Sequence, residues 1–217
     1  MNTKTAVIGA ALLSAAAASP AFAQAKTTPG GQYSLLGGTT VPSGTNVVSG
    51  EFGWPSATFG FTHGLSGNTD VGFKFDLIFG FEDTTTSQFG IGFRVPLRLM
   101  LYRRDRISVL THVDPGIKIY TTTPAIFGFQ WPIGLTVGYS ARPDLDVAFG
   151  VELPMTLVVT PSPVQMLLGP MFGPALEYHV DRQLAIGFNT RFGPIFSTRG
   201  GGGQFGFITQ MMLAYRL

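Results

Sequence analysis

The sequence predicts an all-β protein, a closed antiparallel up-and-down meander of ten strands that crosses a membrane. Three observations predict it. From residue 45 onward, large apolar side chains alternate with small or polar ones, the period of strands with two unlike faces. Polar turn clusters at 65–69, 103–106, 142–144 and 180–183 recur about every 38 residues, the length of two strands and two connections. Charged residues make up only 12% of a chain that is 45% hydrophobic, about half the usual charged share. Yet no segment beyond the leader offers the roughly 18 consecutive apolar residues of a membrane helix.

Residues 1–23 have the features of a secretory signal peptide. Lys4 supplies the positive start, Ala6–Ala18 a short apolar core, and Ala21-Phe22-Ala23 a small-residue cleavage site. Residues 24–44, rich in Thr, Gly, Pro and Ser, are expected to form a flexible tail. That leaves 45–217 as the membrane-crossing unit. The chain has no cysteine, which excludes disulfides, thiolate metal sites and a lipid-anchored N-terminal Cys. A formal charge of +2 and the lack of any long basic run argue against nucleic acid as a partner.

The expected strands are 45–53, 56–64, 70–80, 88–102, 106–120, 126–140, 145–157, 165–179, 183–197 and 204–217. Eight is the fallback, if the hairpin at Gly53-Trp54-Pro55-Ser56 lies outside the wall. On strand 70–80, Val71, Phe73, Phe75, Leu77 and Phe79 oppose Gly72, Lys74 and Asp76. Strand 126–140 sets Phe127, Phe129, Ile133, Leu135, Val137 and Tyr139 against Gly128, Gln130, Gly134, Thr136 and Gly138. On the last strand Phe205, Phe207, Met211, Leu213, Tyr215 and Leu217 form one face. With this phasing every strand charge falls on the polar face. A soluble sandwich carries plentiful charge on its wet face and hides its aromatic face in one core. A wall that is apolar outside and polar inside suits lipid, where closure satisfies every backbone group. Pro115, Pro170, Pro174 and Pro194 each remove a ladder hydrogen bond, so bulges and phase slips are expected there. Tyr102 falls on the inward phase.

The hairpins His63-Gly-Leu-Ser-Gly-Asn-Thr-Asp-Val-Gly-Phe73 and Tyr139-Ser-Ala-Arg-Pro-Asp-Leu-Asp-Val-Ala-Phe149 resemble the short periplasmic turns of bacterial outer-membrane β-barrels. The resemblance covers about residues 45–217. It implies a Gram-negative outer-membrane location, contact with outer-membrane lipid and lipopolysaccharide, and recognition of strand 205–217 by the barrel-assembly machinery. Members of that class usually end in an aromatic residue, whereas this chain ends in Leu217. The resemblance also orients the chain. Arg103, Arg104, Arg106, Arg142 and Arg182 would face the periplasm, and Tyr139, Tyr178 and Tyr215 would form an aromatic girdle at that interface.

The inward set is Glu51, Lys74, Asp76, Arg94, Arg98, Asp114, Lys118, Asp146, Glu152, Glu177, Arg191 and Arg216, with His112 among them. The charges balance. An ion-selective pore favours rings of one sign, so a salt-bridge network that fills the lumen is the first expectation. Inward glycines, among them Gly134, Gly138, Gly150, Gly173 and Gly187, leave room for long side chains or for a thin water path. The expected function is a narrow pore for small solutes or a filled wall protein, monomeric, with no enzymatic activity, cofactor or metal. A rival is a hydrolase or lipid-modifying enzyme with His112 and Asp114 as a general-base pair. His112 lies mid-strand without a recognisable partner motif, so a wall histidine is the plainer reading. A second rival, a surface receptor or adhesion module, is disfavoured by the short outer loops.

Overall fold

The computed structural model describes residues 32–80, 87–159, 164–198 and 203–217. The expected signal peptide, and most of the loops expected on the outer side, lie outside the described residues. The chain forms fifteen strands: β1 (Asn46–Trp54), β2 (Ser56–Gly64), β3 (Thr69–Ile78), β4 (Gly90–Arg94), β5 (Leu97–Arg104), β6 (Ile107–Val113), β7 (Gly116–Tyr120) and β8 (Ile126–Gln130). They continue with β9 (Ile133–Arg142), β10 (Leu145–Leu153), β11 (Met155–Val159), β12 (Gln165–Leu168), β13 (Met171–His179), β14 (Leu184–Ser197) and β15 (Gln204–Arg216).

All fifteen belong to one antiparallel sheet. Besides their neighbours in the sheet order, β12 pairs with β14 and β3 with β5, so the sheet closes on itself in a ring of twelve strands. Chain ends meet in register: Val47 faces Arg216 and Trp54 faces Thr209 across β1 and β15.

The count differs from the ten strands expected, and proline is the reason. Pro96 separates β4 from β5, Pro115 separates β6 from β7, and Pro132 separates β8 from β9. Pro154 divides β10 from β11, and Pro170 divides β12 from β13. A residue without an N–H cannot donate to the ladder, so pairing stops there. Direction and phase nevertheless carry across each break. The alternation of less exposed inward and more exposed outward positions runs unbroken from Gly92 through Leu101 and from Phe129 through Tyr139, with Arg94, Arg98 and Trp131 half-buried. Bulges were expected also at Pro174 and Pro194. Neither disturbs the register: Pro174 pairs Phe149 and Pro194 pairs Phe205. A register shift between Met100 and Tyr102 does occur, and it turns Tyr102 outward, 48% exposed, rather than inward.

The two faces are the reverse of a water-soluble sheet. Phe52, Phe59, Phe149, Phe188, Phe205 and Met211 are among the exposed side chains on the outer face, at 44–69% of full exposure. The buried set includes Asp70, Asp76, Asp114, Lys118, Glu177 and His179.

Of the tail expected at 24–44, residues 24–31 lie outside the described residues, and the described part before β1 is packed and not loose. Tyr33, Ser34, Thr40 and Val41 are buried, and residues 33–41 run inside the ring at the end that carries the turns between β5 and β6 and between β13 and β14. We call this segment the strap. Tyr33, Val41, Val47, Ala185, Met212 and Ala214 form its apolar seat.

Candidate functional site

The interior divides into three zones. At the turn end, the strap is held by two carboxylates. Glu177, fully buried on β13, accepts hydrogen bonds from Ser34 Oγ at 2.6 Å and from the backbone N–H groups of Leu35, Leu36 and Gly37 at 3.1, 2.9 and 3.2 Å. Successive N–H groups converging on one anion form a backbone nest around it. Asp70, also fully buried, accepts from Val41 N at 2.7 Å and from Arg98 through two bonds of 2.8 and 2.6 Å. The same guanidinium donates to the carbonyls of Ser34 and Leu35, both at 3.0 Å.

Tyr33 closes the strap's other end. Its hydroxyl lies within donating distance of the carbonyls of Gln183 and Ala214. Burial, reinforced by the Glu177 carboxylate, raises its pKa well above the ordinary phenol range, so it stays a donor. Its ring meets His179 edge-on at 5.6 Å. His179 is buried with neither ring nitrogen hydrogen-bonded, and its Nε2 stands 3.8 Å from Asp146.

Glycine lets the strap approach this closely. Gly38 has φ +88, a conformation that disfavours side chains, and a Cβ at Gly138 would strike the Gly37 carbonyl. A Cβ at Gly187 would lie 2.6 Å from Leu36 Cδ1. Gly138 therefore seats strap backbone and Gly187 the Leu36 side chain, a use beyond the water path or long charged side chains expected from the sequence.

The second zone lines β1, β3, β4 and β7. Lys74 pairs with Glu51 at 2.8 Å. Arg94 binds Asp76 through bonds of 2.8 and 2.6 Å, with Asp114 at 3.6 Å on its other side. Lys118 is buried and sits 5.9 Å from the Tyr120 ring centre. Glu51, Lys74, Asp76 and Arg94 are thus each compensated in the interior by an ion pair that is also a hydrogen bond.

The third zone is a cavity of about 190 Å3 above the strap, with Leu35, Leu36 and Gly38 among its walls. His112, Glu152 and Arg191 line it, as do the paired charges. Arg191 donates through Nη1 to the carbonyls of Gly173, Pro174 and Thr190.

Most of the inward set expected from sequence thus meets in one interior. Glu51, Lys74, Asp76, Arg94, Arg98 and Asp114 are linked by ion pairs, whereas Glu177 and Asp146 face the strap. Arg216 sits at the turn end, its Nη2 3.4 Å from Thr45 Oγ1. His112 and Asp114 share the inward face, but no hydrogen bond joins them among the described residues, and Asp114 turns to Arg94 instead. Tyr139, Tyr178 and Tyr215 are all outward and exposed near the turn end. Two participants escaped the sequence reading. Asp70 shares the phase of Lys74 and Asp76 and was legible there. The strap gives no periodic signal at all. Among the described residues, no group of three or more His, Cys, Asp or Glu could hold a metal ion. No family model and no curated protein matches the chain.

Proposed function

We propose that this chain is a monomeric integral β-barrel of a bacterial outer membrane, exported with its leader removed, whose lumen is closed by its own strap and charge network. Its wall is read as ten paths by joining the strand pairs divided at Pro96, Pro115, Pro132, Pro154 and Pro170. On this reading the protein is a non-conducting, non-enzymatic component of the wall, with its turn end toward the periplasm and the C-terminal strand presented for assembly. One observation carries the proposal. A sheet that closes on itself exposes a near-continuous surface of Phe, Leu and Val while burying Asp, Lys, Arg and Glu. Such a surface is far larger than the few hundred Å² of apolar patch tolerated in water, and lipid is the solvent that favours it.

A narrow pore is the second reading, favoured by the cavity above the strap. Planar-bilayer recording of the mature chain and of a form lacking residues 32–44 separates the two. The closed-wall reading expects silence from the full chain and conductance steps once the strap is gone. Steady open steps from the full chain would overturn it in favour of the pore.

A further inference from the structure

The joint between β13 and β14 is laced unevenly. Toward the turn end the two strands pair at every residue from Ala175 with Asn189 to His179 with Ala185. Toward the far end Leu167 and Leu168 of β12 pair with Ser197 and Phe196 of β14. In the stretch between, 169–174 against 190–195, only Phe172 and Phe192 are paired among the described residues. One register runs through the gap and places Pro170 opposite Pro194 and Pro174 opposite Thr190. Even-numbered residues of this path turn their N–H and C=O groups toward β14, as the bond from Thr198 N to Met166 O shows. Pro170 and Pro194 therefore exchange no bond at all, and Pro174 has no N–H to give the Thr190 carbonyl.

Both flanks of the gap are firm. β13 pairs β10 without interruption from Met171 to Tyr178, and β14 pairs β15 from Leu184 to Ile195. The other proline breaks are milder. At Pro96, Pro115 and Pro132 an N–H of the opposite strand still crosses, from Gly72, Val95 and Asp114 at 2.8, 2.8 and 3.0 Å.

Side chains close what the ladder leaves open. Arg191 Nη1 lies 2.9, 3.1 and 2.8 Å from the carbonyls of Gly173, Pro174 and Thr190, its two N–H groups shared among the three. A side chain of β14 thus gives Thr190 the donor that Pro174 lacks. The guanidinium reaches these carbonyls by lying across Gly173 and its partner Gly150 on β10, where a Cβ would stand 3.0 Å from Cζ. Bare backbones meet along the joint: a Cβ at Gly169 would strike the Pro194 carbonyl, and one at Gly193 that of Pro170. On the outer face the Phe172 and Phe192 rings cover the gap edge-on, 5.0 Å apart. On the inner face Arg191 borders the cavity above the strap.

We propose that the wall parts between β13 and β14 as a lateral gate, latched by Arg191, that gives molecules dissolved in the membrane a side entrance to the cavity. Opening it separates the Phe172–Phe192 pair and the Arg191 contacts, while Pro170 and Pro194 have no mutual bond to lose. The freed backbone groups then border a polar cavity, the one place at membrane depth where irregular backbone is tolerated. The strap closes the turn end and need not move. The proposal rests on the membrane-wall reading and adds a route to it.

Because the chain has no cysteine, Gln210→Cys places a single thiol reporter on the cavity wall. The protein is refolded into vesicles and labelled either with pyrene maleimide dissolved in the bilayer or with a charged, water-borne maleimide. Arg191→Met should speed labelling from the membrane at least about tenfold and leave the water-borne rate unchanged. An oxidised bridge between Phe172→Cys and Phe192→Cys, directly opposed positions that suit a disulfide, should slow labelling from the membrane about tenfold or more. In the native chain the amides of Phe172 and Phe192 should exchange at least about tenfold faster than those of Leu176 and Phe188 on the laced part of the same joint. The bridge and the exchange rates decide the matter if Arg191→Met does not fold. Vesicle flotation and gel mobility before and after heating report insertion and folding. A chain that fails to insert defeats the membrane reading itself. An inserted chain that labels at one rate with and without the bridge overturns the gate alone. So does a bridge that slows both reagents equally, which puts the route at the far mouth, or equal exchange along the whole joint.

Discussion

Replacing Glu177 by Gln should loosen the strap and leave the wall intact. In the native chain one buried carboxylate accepts from Ser34 Oγ and three backbone N–H groups. Bonds to an ionised acceptor contribute roughly 1.5–3 kcal/mol each, against about 0.5–1.5 for neutral ones. Gln keeps the shape but removes the charge, and its NH2 points a donor at a site built for donors. Losing about 1 kcal/mol at each of three short contacts amounts to about 3 kcal/mol, or about a hundredfold more frequent opening of the strap. Hydrogen exchange at the amides of Leu35, Leu36 and Gly37 should therefore accelerate about a hundredfold, with β9 and β14 unchanged. Gly138→Val approaches the same hinge from the wall, because its side chain collides with the Gly37 carbonyl, and should produce the same local signature. If the strap amides exchange at native rates in both variants, the carboxylate nest does not hold the strap and the reasoning fails.

Asp70→Asn leaves Arg98 buried beside a neutral partner; breaking such a pair costs about 3–5 kcal/mol, which urea titration of the refolded protein should register. Phe188→Arg puts a charge on the outer face beside Met211 and should destabilise the chain in bilayers by about 2–4 kcal/mol; a gain in stability there would count against lipid contact. Asp181, in the turn after β13, accepts from the N–H groups of Gln183 and Leu184, which lower its pKa. Its folded pKa lies below its unfolded one, so its contribution is present above the unfolded value and fades as pH falls through the folded one. Carboxyl NMR should find Asp181 titrating below an ordinary Asp, and Asp181→Asn should make the turn amides exchange faster at neutral pH.

The wall was legible in the sequence because a strand's period is two and each face has one solvent. The assignments of Phe73, Phe149 and Phe188 outward, and of Lys74, Asp76 and Arg94 inward, needed only that alternation. Five breaks were harder to foresee. Pro115 and Pro170 stood out within their strands, whereas Pro96, Pro132 and Pro154 sat in phase with the inward or outward pattern and passed unnoticed. Tyr102 was misassigned because one extra residue at Met100–Tyr102 resets the phase locally. The strap was illegible for a deeper reason. It makes no ladder, so it has no period. Its anchors are backbone N–H groups, which every sequence possesses, and its Thr, Gly, Pro and Ser content suits a solvated tail equally well. Its only trace lay on other strands, in inward glycines such as Gly138 and in carboxylates such as Glu177 without an evident cation.

On the proposed function, the aromatic face of the ring touches acyl chains and the charged face does not. With no native cysteine, single Cys residues can be placed in turn along 205–217, carrying nitroxide labels, and the protein refolded into vesicles. Labels at 205, 207, 211, 213 and 215 should collide with membrane-dissolved oxygen, and those at 206, 210, 212 and 214 should be protected. Uniform access of a water-soluble relaxant to the odd positions would contradict the lipid contact.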